Sequence, residues 1–243
     1  WFVVFSLPTF LLLKDRNPEK GMRKHLKQSF HSIQSSFYNV QKHKSIVTFL
    51  IARLFYNDAL ITIFAFGGIY AAGTLNFSFN EILILGVVLN ISACIGSFLF
   101  GYLEDQIGVK NMLMITLWSL LFATLLAFFA PWLTDYNRFI TPKTLFWIAG
   151  IIIGLMQGPN QSGSRSLMAR LTPDEKKNEF FGFYAFSGKA TAFIGPLLFG
   201  LLTSYFGTQQ AGLFIVVIFF FIGIIVFSFV NMEKKDAVNS HLT

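Results

Sequence analysis

Four ionisable side chains, Arg53, Asp58, Arg165 and Lys189, interrupt stretches that are otherwise almost wholly apolar. Asn57 stands beside Asp58, and Asn160, Gln161, Ser162, Ser164 and Ser166 gather around Arg165. Guanidinium and ammonium groups recognise carboxylates, amides orient a small polar molecule, and a carboxylate in a dry place holds a proton more readily than one in water. That inventory suits the binding of a small anionic or zwitterionic solute. It does not suit bond cleavage, because an intramembrane hydrolase needs a nucleophile with a base or metal ligands. His25, His31, His43 and His241 all lie outside the apolar stretches, so no metal cluster is expected there. The single cysteine, Cys94, gives neither a disulfide framework nor a cysteine-based zinc site, and no cofactor is expected.

The elements that carry these groups are set by the bilayer. The chain has 243 residues, of which 54% are hydrophobic and 13% charged, against about 25% charged in an ordinary soluble domain. Residues 59–80, 82–103, 111–134, 144–164 and 190–232 contain no Asp, Glu, Lys or Arg. Each of the first four gaps suits one spanning helix of about 20 residues. The last would make a helix of roughly 65 Å, about twice the hydrocarbon thickness, so it must fold back, at Tyr205 to Gln210. The spacing predicts an all-α membrane protein with six spans, at 46–74, 81–103, 111–131, 144–168, 179–205 and 211–231. Transmembrane strands would need short alternating segments, and IVVIFFFIGIIVF does not alternate.

Residues 1–13 are too few to span and lack the basic start and small-residue cleavage site of a signal peptide; they read as the end of an earlier span, truncated. Residues 14–45 form a basic linker, 46–231 the six-helix bundle and 232–243 a tail. Of 19 Lys and Arg, eight lie between Lys14 and Lys44, and those after spans two, four and six fall on the same side. Loops rich in Lys and Arg stay in the cytoplasm, so the linker and both ends are expected there, with the cell membrane as the expected site. Topology explains the net charge of +7, and nucleic acid is not an expected partner. In the linker, Leu26, Phe30, Ile33, Phe37 and Val40 share one helical face, which suits a helix on the membrane surface or a solvated connector. Asn76-Phe77-Ser78 is a glycosylation sequon on the outer side.

Counted from the cytoplasmic ends, Asp58 and Lys189 lie about 15 to 20 Å deep and are expected to meet. Arg53 and Asp58, five apart, point about 140° away from each other, so they are a poor pair. Lys189 sits on a ridge with Ala185, Ala192, Gly195 and Pro196, which suits close packing inside a bundle. Arg53 and Arg165 are shallower and either snorkel to headgroups or face the bundle; the five polar neighbours of Arg165 favour the second. The Asp58–Lys189 pair is either a structural salt bridge or part of a transport site. Gly158-Pro159 removes an amide donor and is expected to break span four, and Gly195-Pro196 to repeat the device in span five. Irregular backbone at membrane depth lines protein or water, as in transporter binding sites. Gly150, Gly154 and Gly158, four apart, form a flat face for another helix.

The loop GYLEDQIGVKN, residues 101–111, resembles the signature G-x-L-x-D-R-x-G-R-(R/K) of major facilitator superfamily transporters. Gly101, Leu103, Asp105, Gly108 and Lys110 match, while Gln106 and Val109 replace two arginines. GPLLFG, residues 195–200, is similar to the family's G-P-x-x-G-G motif. The segments ARLFYNDALITIFAFGGIYAAG, GPNQSGSRSLMARLTP and FFGFYAFSGKATAFIGPLLFG resemble the branch similar to vacuolar amino-acid effluxers. This resemblance implies the C-terminal six-helix half of a 6+6 bundle, with a missing N-terminal half as partner. It also implies that spans one, two, four and five line the cavity and that spans three and six face lipid.

The reading that results is a secondary transporter, in part, that moves a small anionic or zwitterionic solute by alternating access. Resemblance points to amino acids, whose carboxylate would meet Lys189 or Arg165, and Asp58 could carry a coupling proton. A receptor of the same fold that binds without moving its ligand stays open, as does, more remotely, a membrane enzyme.

Overall fold

The computed structural model describes residues 43–133, 141–173 and 176–232. The expectations for the stub 1–13, the amphipathic linker and the tail beyond Met232 lie outside these described residues. Among the described residues seven helices follow one another: α1 Lys44–Leu75, α2 Phe79–Ile107, α3 Val109–Leu133, α4 Pro142–Leu171, α5 Lys177–Ser187, α6 Ile194–Phe206 and α7 Gln209–Ser228. Among the described residues there is no strand. α1, α2, α3 and α7 are long and apolar enough to cross a membrane.

The ends of the helices follow from local chemistry. Asn76 takes the left-handed conformation, φ 55°, and its N–H closes on the Ala71 carbonyl to end α1. Two residues on, Ser78 forms a capping box with Glu81, each side chain accepting the other's backbone N–H, which fixes the start of α2. Glu81 also pairs with Lys143 at 2.9 Å, joining the starts of α2 and α4. Gly108 alone separates α2 from α3, at φ 80°, a conformation that a side chain would strain. Thr141 caps α4, and Pro142 sits in its first turn, where a missing N–H costs nothing.

Close packing uses the glycines. A Cβ at Gly154 would fall 2.7 Å from the Leu89 carbonyl oxygen and 2.8 Å from the Ser92 side chain, and one at Gly158 would meet Ser97, so the expected flat face of α4 is the face that receives α2. Gly163 on the same helix admits Met112 and Leu113 of α3. α7 lies on α1 through Gly223 against Tyr56, and on α6 through Gly212 against Phe199. Buried hydroxyls at Thr62, Thr124, Ser164 and Thr172 bond to the carbonyl four residues back, satisfying themselves where water is absent. α2 turns a long apolar face outward, with Phe98 84% exposed, as hydrocarbon or another membrane segment allows and water does not.

Two expectations about breaks are corrected. α4 runs unbroken through Gly158-Pro159. The carbonyl that Pro159 leaves without its usual donor is that of Leu155, four residues back, and Gly96 of α2 presses onto it so closely that a Cβ there would collide with the Leu155 oxygen. The fifth span does break, but at residues 188–193. Gly195 and Pro196 lie just after the break in the first turn of α6, where proline fits because helix-starting N–H groups lack partners anyway.

Candidate functional site

A polar pocket with about 340 Å³ of open space lies between α1, α4 and α5. α1 contributes Arg53, Tyr56 and Asn57, α4 contributes Asn160, Gln161, Ser164 and Arg165, and α5 contributes Tyr184. Five residues that the sequence singled out, Arg53, Asn57, Asn160, Gln161 and Arg165, are thus brought together. Asp58 and Lys189 are not among the lining residues.

The wall groups have different duties. Arg53 does not snorkel: its Nη1 donates to the Tyr184 carbonyl at 2.8 Å and to Ser187 Oγ at 3.1 Å, and its guanidinium lies 3.7 Å from the centre of the Tyr184 ring. A cation at a helix C-terminus is favourably placed, because the unpaired carbonyls there carry partial negative charge. Asn57 donates to the Gly188 carbonyl at 3.0 Å. Between α1 and α4, Tyr56 and Ser164 share a hydrogen bond of 2.8 Å, and Asn160 of α4, 1% exposed, donates to Thr116 Oγ1 at 3.3 Å. Gln161 and Arg165 are exposed, and among the described residues Arg165 makes no hydrogen bond or ion pair. The pocket therefore offers one uncommitted guanidinium, several amide groups and no carboxylate on its walls.

Asp58 and Lys189 do not meet. Lys189 is exposed, on the break after α5, and the ion pairs among the described residues are Lys143–Glu81 and Arg170–Glu104. Asp58 is 2% exposed and accepts the Gly195 N–H on Oδ2 at 2.9 Å, while its Oδ1 has no hydrogen-bond partner. The acid caps the start of α6, a partner that depth counting could not identify.

In the signature loop, Gly108 is required by its backbone, whereas nothing lies within 4 Å of a Cβ placed on Gly101. Asp105 is exposed, and it is the neighbouring Glu104 that reaches α4, accepting from Ser166 Oγ at 2.6 Å and pairing with Arg170 at 3.3 Å. Lys110 Nζ reaches the Ser228 carbonyl at the end of α7, at 3.4 Å. Sequence reasoning missed Tyr56, Tyr184 and Glu104. For Tyr56 a signal existed, since it lies three residues from Arg53 on the same helical face.

Residues 1–239 match the family described as vacuole effluxer Atg22 like. The chain belongs to that family. YxiO of Bacillus subtilis (strain 168), named an uncharacterized MFS-type transporter, is 28% identical over 239 residues, covering 98% of this chain and 53% of its own length. Autophagy-related protein 22 of Cryptococcus neoformans var. neoformans serotype D (strain B-3501A) is 25% identical over 251 residues, covering 98% of this chain and 46% of its own. That of Vanderwaltozyma polyspora is 25% identical over 264 residues, with 98% and 50% covered. The chain spans about half the length of the curated relatives it matches. As a member of the Atg22-like branch of MFS-type transporters, with apolar helices of spanning length, it is a multi-pass integral membrane protein of all-α, major facilitator type.

Proposed function

We propose that residues 46–231 form the C-terminal six-span half of a secondary transporter whose solute, small and anionic or zwitterionic, binds the pocket between α1, α4 and α5. The observation that carries this reading is the pocket itself: two guanidinium groups and three amides, with no wall carboxylate, gathered within an apolar bundle. Arg53 is spent on α5, so Arg165 is the group that meets the solute's carboxylate. Amino acids fit, the ammonium being received by amide oxygens of Asn160 and Gln161. Asp58, buried with one oxygen unpartnered, is the candidate to carry a coupling proton. The remaining partners are the N-terminal half and the bilayer; the solute is moved, not chemically altered. The membrane proposed is the cell membrane, with residues 14–44 and the tail on the cytoplasmic side.

The test is flux of amino acids into sealed vesicles holding the whole transporter, with and without a proton gradient. Arg165→Gln should raise KM about tenfold to a hundredfold, the loss of one charge-assisted hydrogen bond of about 1.5–3 kcal/mol. Binding without flux would turn the reading into that of a receptor. Normal flux and KM in a folded Arg165→Gln protein would reject the pocket as the site.

A further inference from the structure

Residues 188–193 leave the helix between α5 and α6, and α1 reaches both sides of this break with groups of opposite sign. Arg53 and Asn57 donate to the carbonyls of Tyr184 and Gly188 at the end of α5, whereas Asp58 accepts the Gly195 N–H at the start of α6. The signs follow the helix dipole, cation at the C-terminus and anion at the N-terminus.

The two attachments differ in kind. α6 is lodged against backbone: a Cβ on Gly195 would collide with Thr62 Oγ1 and lie 3.1 Å from the Asp58 carbonyl oxygen, and Phe199 stacks on Phe66 at 4.4 Å. α5 meets α1 through side chains, by way of Arg53, Asn57, the stacked Phe49–Tyr184 pair and the edge contact of His43 with Phe180. Nothing lies within 4 Å of a Cβ at Gly182 on α5. Tyr184 is at once a wall of the pocket and the residue that Arg53 grips. We propose that α5 is a gate over the pocket, latched to α1 by Arg53 and Asn57 and swinging on residues 188–193, with α6 pinned by Asp58 as the fixed jaw. Arg53 is then a positioning residue. An anion entering beside it competes for the N–H groups that hold α5, which couples occupancy to opening. This coupling rests on reading the pocket as the solute's site; the latch does not.

The test uses the whole transporter in lipid vesicles, with Cys94→Ser and pairs of spin labels on introduced cysteines. Ile51→Cys with Gly182→Cys reports α1 to α5, and Ile69→Cys with Leu201→Cys reports α1 to α6, all at exposed positions. Arg53→Gln and Asn57→Ala should broaden the first distance distribution or add a longer population, leaving the second unchanged. Arg53→Lys, which keeps the charge but loses the fork, should fall between and serves where Arg53→Gln fails to fold. A cysteine at Ser164, 2% exposed, should react with a small thiol reagent about tenfold faster in the latch variants, as expected for the loss of one or two hydrogen bonds. Broadening of both label pairs together, or of neither in folded variants, overturns the gate. Selective broadening of the α5 pair alongside normal flux in Arg165→Gln would uphold the latch and reject the pocket as the solute's site.

Discussion

With Oδ2 on the Gly195 N–H and Oδ1 without a partner, Asp58 should tolerate only replacements that keep an acceptor. Asp58→Ala strands a buried N–H and should destabilise the folded protein by about 1–3 kcal/mol, read as a lower midpoint of thermal unfolding in detergent; Asp58→Asn should cost much less. Lys189→Met, at an exposed position, should stay within about 0.5 kcal/mol of the parent. Adding it to Asp58→Ala should give no rescue, whereas an ion pair would require one. Rise per residue carries no azimuth, and the break at 188–193 interrupts the helical register between α5 and Lys189. Arg165 and its amide neighbours were legible because five polar residues in an apolar span need a common reason. Tyr184 was not, since an aromatic residue in a membrane helix is ordinary until its ring is seen beneath Arg53.

Glycine spacing is what the sequence says best about how these helices pack. Gly154→Ala drives a methyl group into the Leu89 backbone and should cost about 1–3 kcal/mol by overpacking. Gly67→Ala, mid-helix on α1 with nothing within 4 Å of the new carbon, should be neutral or stabilising by up to about 1 kcal/mol. Comparing unfolding midpoints of the two variants separates helix propensity from interface contact. The face of Gly150, Gly154 and Gly158 was readable because a four-residue repeat returns to nearly the same side of a helix. The breaks were misread for a related reason: Gly-Pro marks a lost hydrogen bond but not whether a neighbour compensates. At Pro159 the helix continues with Gly96 of α2 packed directly on the freed Leu155 carbonyl, and at Pro196 the position in the first turn makes compensation needless.

Taken as a bundle, the chain shows how strongly a bilayer constrains a sequence. The ends of α2 and α3 fall within four residues of the charge-free gaps 82–103 and 111–134, whereas α1 and α4 extend beyond theirs and carry Arg53, Asp58 and Arg165; charges do not follow a helix into hydrocarbon without cause. What the gaps could not show is that the fifth span is two pieces, since the residues of the break are themselves mostly apolar. In the proposed orientation, a cysteine at Asn80, in the Cys94→Ser background, should react with impermeant thiol reagents applied to intact cells. One at Asn178 should be protected, and the reverse pattern would invert the topology. Residues 1–243 alone should show no flux in vesicles, because a cavity between two halves needs both; flux restored by co-expressing the remaining half of the protein would confirm the division.

The two short helices of the fifth span also bear on how the protein is made. α5 has 11 residues and α6 has 13, about 16 and 20 Å of helix against roughly 30 Å of hydrocarbon. Neither can settle in lipid as an independent segment, and the peptide groups between them would lie unsolvated there. Their partners Arg53, Asn57 and Asp58 are all on α1, which is synthesised before α5 and α6. The order of synthesis thus places a template in the bilayer before the segment that depends on it emerges. A permuted chain that makes α1 last would present span five with nothing to dock on, and its newborn α5–α6 region should linger outside the membrane, open to proteases, until α1 arrives.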